Sequence, residues 1–195
     1  MKRLSFIFIF FISRWSLGIE PQIRTQIDER SGQISVGYEM TSLTTAEGAI
    51  DGAGLRMAYN HWFSSSYAVE LGASVAMNNQ GSVQSNSFTG FNLFGYYNLL
   101  GKPYDAVKRT YLSDVLVTTE QQPSRYSLSL GAGVSQYFLN GNQGVYSGSG
   151  LGAGLIYQVR LWRSTVRVSA RWNQLQASGI PVDGVSYDLG FTFPL

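Results

Sequence analysis

The 195-residue sequence contains no cysteine. That excludes a disulfide framework, a thiolate metal site and a thiol nucleophile. Charge is also scarce: Asp, Glu, Lys and Arg make up only 13% of the residues, where a water-soluble domain usually carries about 25%. Beyond the N-terminus there is no run of apolar residues long enough for a transmembrane helix, which needs about eighteen or more. Yet the mean hydropathy is only −0.03. Few charges, no long apolar run and near-zero hydropathy occur together when strands alternate apolar and polar side chains and turn the apolar face to lipid.

The one apolar run sits at the N-terminus. Lys2 and Arg3 precede residues 4–12, LSFIFIFFI, and Ser16-Leu17-Gly18 follows as a small-x-small cleavage site. A basic start, a short apolar core and a small-residue site make a secretory signal peptide over residues 1–18. Its loss removes Lys2, Arg3 and Arg14 from the 14 basic residues, leaving 11 against 12 acidic ones and a net charge of −1. The basic balance of the full chain therefore belongs to the export signal. It is no sign of nucleic-acid binding.

What the sequence has in quantity is alternation. In residues 185–195, VSYDLGFTFPL, the residues Val185, Tyr187, Leu189, Phe191, Phe193 and Leu195 share one parity; Ser186, Asp188, Gly190, Thr192 and Pro194 share the other. Strict period two is a strand with one apolar and one polar surface. After a polar lead over residues 19–32, the same pattern marks strands near 33–43, 53–63, 67–77, 88–98, 125–138, 150–162 and 164–175. Eleven residues at ~3.3 Å rise and a tilt near ~40° span about 28 Å, close to the ~25 Å apolar band of membrane barrels. Eight is also the smallest common closed barrel, and its interior is filled by side chains.

The connections alternate in length. Residues 64–66 and 163–164 are tight turns; residues 44–52, 78–87, 140–149 and 176–184 are longer and rich in Gly, Asn, Ser and Thr. The first set is expected on the periplasmic side and the second outside the cell. Residues 99–124 break the rule, because a long connection stands where a short turn belongs. Within it, residues 103–112 suggest a short helix opened by Pro103, and residues 115–119 a short extra strand.

Charges fall on the polar parity. Glu39, Arg56, Glu70, Arg160, Arg167, Arg171 and Asp188 all face away from the apolar side of their strands. A single Arg or Lys facing the bilayer centre would cost about 2–4 kcal/mol. Inside a narrow barrel, these seven should pair into an interior ion network, because isolated buried charges are prohibitively costly. Asp188 is expected to meet Arg167 or Arg171 on the neighbouring strand. Aromatic residues at strand ends, Phe63, Tyr67, Tyr97, Tyr126 and Phe193, suggest an interfacial girdle. Inward Gly131, Gly133, Gly150, Gly152 and Gly154 suggest room for inward Phe94 and Tyr96.

The closing strand, the other alternating strands and the export signal together resemble the small eight-stranded outer-membrane β-barrels of Gram-negative bacteria, of the OmpA transmembrane-domain type. The resemblance covers about residues 33–195 and is architectural. It implies an all-β, eight-stranded, antiparallel up-and-down transmembrane barrel with both ends of the chain in the periplasm. It also implies that Gly190, Phe191, Phe193 and Leu195 form the terminal signal read by the barrel-assembly machinery, with Leu195 in place of the usual phenylalanine. The implied surroundings are outer-membrane lipids and lipopolysaccharide, and the implied state is a monomer without a cofactor, a bound metal or catalytic residues.

Three other readings compete. A soluble lipocalin-like barrel would place the apolar face inward, but its surface would carry too few charges for solubility. A lipid A-modifying barrel enzyme needs an activated nucleophile, typically Ser with His and a carboxylate. The single histidine, His61, lies on the apolar parity near a turn, which suits a girdle residue better. A narrow ion or water pore through the charged interior is the third. Loops of nine or ten residues argue against an adhesin. Residues 99–124 are where a periplasmic partner would bind, or where a cover for the barrel mouth would lie.

Overall fold

The computed structural model describes residues 23–29, 32–46, 48–78, 87–104, 106–112, 115–121, 123–141, 144–162 and 164–195. The export signal expected over residues 1–18 lies outside them. The chain forms two units: a small sheet and a barrel.

The small sheet has three strands in the order β1-β6-β7: β1 (Ile23–Glu29), β6 (Ala106–Leu112) and β7 (Val115–Gln121). Two corrections follow. The polar lead contains a strand, and the segment expected to form a helix after Pro103 is strand β6. Ala106–Leu112 reads AVKRTYL, and its Val, Thr and Tyr favour an extended backbone. Pairing with strands on both sides outweighs the helix-start signal of Pro103. The extra strand expected over residues 115–119 is β7.

The barrel is closed and eight-stranded, in the order β10-β11-β2-β3-β4-β5-β8-β9. Its strands are β2 (Gly32–Thr45), β3 (Gly48–Trp62), β4 (Tyr67–Met77), β5 (Ser87–Leu100), β8 (Tyr126–Gly141), β9 (Gly144–Leu161), β10 (Ser164–Ala177) and β11 (Ile180–Pro194). Each pairs antiparallel with the next barrel strand along the chain. The seam is β11 against β2, where Gly190 faces Gly37 and Asp188 faces Glu39.

Most strands are longer than the eleven residues expected, because they run into segments that read as loops. β2 and β3 stay paired to Thr45 and Gly48, and β10 and β11 to Ala177 and Ile180. Only Ser178 and Gly179 join the last pair, with φ of 52° and 83°. Two positive φ values in a two-residue loop make a type I′ hairpin, whose twist matches that of the strands. The expected nine- or ten-residue outer loops at 44–52 and 176–184 are thus mostly strand. Their Gly, Ser and Thr content imitates loop composition while the period of two continues.

Burial is inverted relative to a soluble barrel. Leu55, Leu151 and Leu189 are 66%, 71% and 58% exposed, whereas Arg167 and Glu70 are 1% and 0% exposed. Apolar side chains outward and charges inward is the arrangement of a barrel surrounded by lipid. It excludes the lipocalin reading.

Candidate functional site

The lumen is stacked in three layers, and the middle one is charged. The inward parity of five strands brings together Glu39 from β2, Arg56 from β3, Glu70 from β4, Arg167 and Arg171 from β10 and Asp188 from β11. All are nearly inaccessible to solvent. Three cations meet three anions. Arg56 bonds Glu70 at 2.6 Å and lies 3.4 Å from Glu39 and 3.5 Å from Asp188. Arg167 bonds the other oxygen of Glu70 at 2.6 Å and approaches Asp188 at 3.8 Å. Arg171 bridges Glu39 at 2.5 Å and Asp188 at 2.9 Å. Both predicted partners of Asp188 are therefore in reach, Arg171 the closer.

Neutral groups complete the layer. Thr41 donates to Glu39 at 2.9 Å, Ser169 donates to Asp188, and Arg56 donates to Asn92 at 2.9 Å. The Asn60 amide, turned to suit its neighbours, donates to Glu70 at 2.8 Å and accepts from Arg167 at 3.0 Å. Such density of partners is what allows charges to remain buried. Glu39 and Asp188 face each other across the seam, a like-charge pair that would be destabilising alone. Arg56 and Arg171, from the strands on either side, compensate both.

Arg160 stands apart from this layer. It is partly exposed near the β9–β10 turn, and its Nε donates to the Trp162 carbonyl at 3.3 Å. Its parity points inward, but β9 carries it four residues past Ile156, beyond the level of the charged layer.

The layers on either side are apolar, and sequence reasoning missed most of their members. Towards the two-residue hairpin, Leu43, Ala76, Phe88, Tyr137, Leu175 and Val182 form one cluster. Towards the β3–β4 turn, Trp62, Ala68, Phe94, Tyr96, Tyr104 and Ile156 form the other. Leu43, Phe88, Trp62 and Leu175 share the parity of the charged residues, so a rule of polar-inside passes over them. The signal was available: Leu43 is in phase with Glu39 and Thr41.

Gly154 makes space for the second cluster. A Cβ there would lie 2.6 Å from the Tyr96 hydroxyl and 3.3 Å from the Phe94 ring. Phe94 and Tyr96 stack with centroids 5.9 Å apart.

The chain after β5 closes this end. Gly101 turns with φ of 75°, and a Cβ there would collide with the Tyr126 carbonyl. Lys102 and Ser124 then bind each other, Lys102 N to Ser124 Oγ at 2.7 Å and Ser124 N to Lys102 O at 2.9 Å. The Pro103 carbonyl accepts from Gln33 at 2.8 Å, and Gln33 accepts from Trp62 at 3.2 Å. Tyr104 is fully buried, with its ring 6.1 Å from that of Trp62.

On the outer wall, Phe63, Tyr67, Tyr97, Tyr126 and Phe193 are 67%, 59%, 47%, 49% and 50% exposed, and Tyr67 and Tyr97 pack with centroids 5.1 Å apart. Trp162, not foreseen among them, is 96% exposed in the β9–β10 turn. His61 lies on the same wall, 3.4 Å from the Tyr59 hydroxyl and 4.8 Å from the Phe63 ring centroid. In β11, Gly190, Phe191 and Phe193 pair with Gly37, Val36 and Ile34, and Leu195 N donates to Gly32 O at 2.9 Å.

No protein-family model matches the sequence, and no curated protein matches it. Solved structures do. Neisserial surface protein A (NspA) superposes with a TM-score of 0.64 at 10% identity, covering 87% of this chain and 99% of that one. OprG from Pseudomonas aeruginosa superposes with a TM-score of 0.54 at 12% identity, covering 86% and 99%. At such identity the likeness concerns the fold. Together with the inverted burial, it shows that this chain has the fold of the small eight-stranded outer-membrane β-barrels.

Proposed function

We propose that the chain is an integral outer-membrane protein of a Gram-negative bacterium with a structural or surface-interaction role, and that its lumen is plugged by ion pairs. The observation that carries this is the charged layer, in which six side chains from five strands bind one another across the barrel. An eight-stranded barrel has an interior just wide enough for side chains to fill, and here apolar clusters lie on both sides of the charges. On this reading the protein is not an enzyme and uses no cofactor or metal. His61 serves the outer wall. Its surroundings are outer-membrane lipids, lipopolysaccharide and the barrel-assembly machinery, the last reading Gly190, Phe191, Phe193 and Leu195. The small sheet formed with the insert between β5 and β8 is the place for a periplasmic partner.

Planar-bilayer recording tests the plug. Protein whose folding is verified by its heat-modifiable gel shift should give no conductance steps. Steps that change with Arg171→Gln or Glu70→Gln would replace the plug with the alternative reading, a narrow ion or water pore.

A further inference from the structure

The small sheet has two open edges, and they differ in charge. β6 lies in the middle, so among the described residues β1 and β7 each pair on one side only. An open edge is a template for a further strand, because its outward N–H and C=O groups have no ladder partner. β7 reads VLVTTEQ, and its only charge is Glu120. β1 reads IRTQIDE and carries Arg24, Asp28 and Glu29.

Charge on an edge strand ordinarily discourages pairing. In β1 the order of the signs reverses that effect for one partner, a second β1. A twofold antiparallel pair must set one residue opposite itself, because successive positions alternate between hydrogen-bonded and non-hydrogen-bonded pairs. Centred on Gln26, such a pair brings Arg24 opposite Asp28 of the partner subunit, and Asp28 opposite the partner subunit's Arg24. Glu29 then falls opposite Ile23, so no like charges meet. Opposite charges directly across an antiparallel pair stabilise it, and like charges destabilise it. Within β1, no other centre sets Arg24 against an acidic residue. Parallel, in-register pairing would set Arg24 against Arg24 and Asp28 against Asp28.

We infer that β1 is a self-association edge, at which two copies of this chain pair antiparallel about Gln26 and join their small sheets into one. The inference rests on the reading of the small sheet as a place for a partner, and it names that partner as a second copy. The contact uses the same edge twice and therefore closes as a dimer. Anchoring both copies in one membrane raises their effective concentration, which favours association through an edge of only seven residues.

The chain has no cysteine, so introduced thiols report the register without background. The full chain with Gln26→Cys, refolded in lipid vesicles and checked by its heat-modifiable gel shift, should form a disulfide dimer on mild oxidation. Residues directly opposite in an antiparallel pair have Cα atoms about 4.5–5.5 Å apart, within the span of a disulfide. Ile23→Cys sets the two thiols about 20 Å apart, from ~3.4 Å per residue along the strands, and should cross-link roughly tenfold less. Arg24→Asp or Asp28→Arg, each added to Gln26→Cys, should cut the dimer roughly fivefold, because each sets like charges together at both positions. Mixing those two variants should restore it as a mixed dimer, in which both positions again oppose unlike charges. Ile23→Cys cross-linking as well as Gln26→Cys would overturn the inference, and so would a mixture no better than its components. Cross-linking through Thr118→Cys instead would overturn the choice of edge. If Gln26→Cys stays monomeric but its thiol is shielded from a water-soluble maleimide in whole cells and not after purification, the second copy is wrong and the sheet remains a docking place. A thiol labelled fully in both would overturn both readings.

Discussion

The charged layer and the aromatic layer beside it both close the lumen, but they tolerate damage differently. In the aromatic layer, Trp62, Phe94, Tyr96, Tyr104 and Ile156 contribute by area and contact, and each loss is graded by the volume removed. In the charged layer, each group is stable only because its partners are present. Apolar packing degrades in proportion, whereas a balanced set of three cations and three anions fails when the balance is broken.

The largest expected effect is therefore at Arg171. Arg171→Leu leaves Glu39 facing Asp188 with one compensating cation fewer, and should cost about 3–5 kcal/mol in urea unfolding of the refolded barrel. Adding Glu39→Leu restores the balance at two against two and should recover most of that loss. If the double variant is no more stable than Arg171→Leu, the charged layer behaves like ordinary packing and the contrast fails.

In the aromatic layer, Phe94→Leu should cost about 1–2 kcal/mol in the same titration. The smaller ring contact with Tyr96 and the extra space beside Gly154 set that value. A loss as large as that of Arg171→Leu would show that the two layers are not separable.

Gly154→Ala sharpens the comparison further. The new Cβ meets the Tyr96 hydroxyl, and overpacking of this kind costs about 1–3 kcal/mol. Tyr96→Phe removes a buried hydroxyl that has no hydrogen-bond partner and should rescue most of the loss. A double-mutant cycle measures the coupling, and a coupling near zero would remove the steric argument.

The smallest effect is at the hairpin. Ser178 occupies the first turn position with φ of 52°, where Asn is favoured. Ser178→Asn should stabilise by a few tenths of a kcal/mol, visible as a small shift of the urea midpoint and common to both layers.

Much of this fold was legible in the sequence because one parity rule governs each barrel strand. Alternation located the eight barrel strands and assigned Leu55, Leu151 and Leu189 to the outer wall. The same parity brought Glu39, Arg56, Glu70, Arg167, Arg171 and Asp188 to one side, and the fold then set them at one height. Height is what alternation does not encode, which is why Arg160 shares the parity but not the layer. Leu43, Leu175 and Trp62 were overlooked for a related reason: the interior is polar only at its middle, and towards the ends the same positions hold apolar side chains. The strand after Pro103 was hidden because a local helix-start signal competes with pairing to β1, which is distant in sequence.

The seam has a consequence for the order of events in folding. The barrel closes by joining β11 to β2, which brings Asp188 opposite Glu39. The compensating arginines reside on neither of those strands: Arg56 is on β3 and Arg171 on β10. Two end strands meeting early, without their neighbours, would set carboxylate against carboxylate in a medium that screens poorly. Docked together with β3 and β10, they arrive with the counter-charges in place. Closure is thus electrostatically favourable once β3 and β10 flank the seam, so the seam acts as a check that its two neighbouring strands are in place.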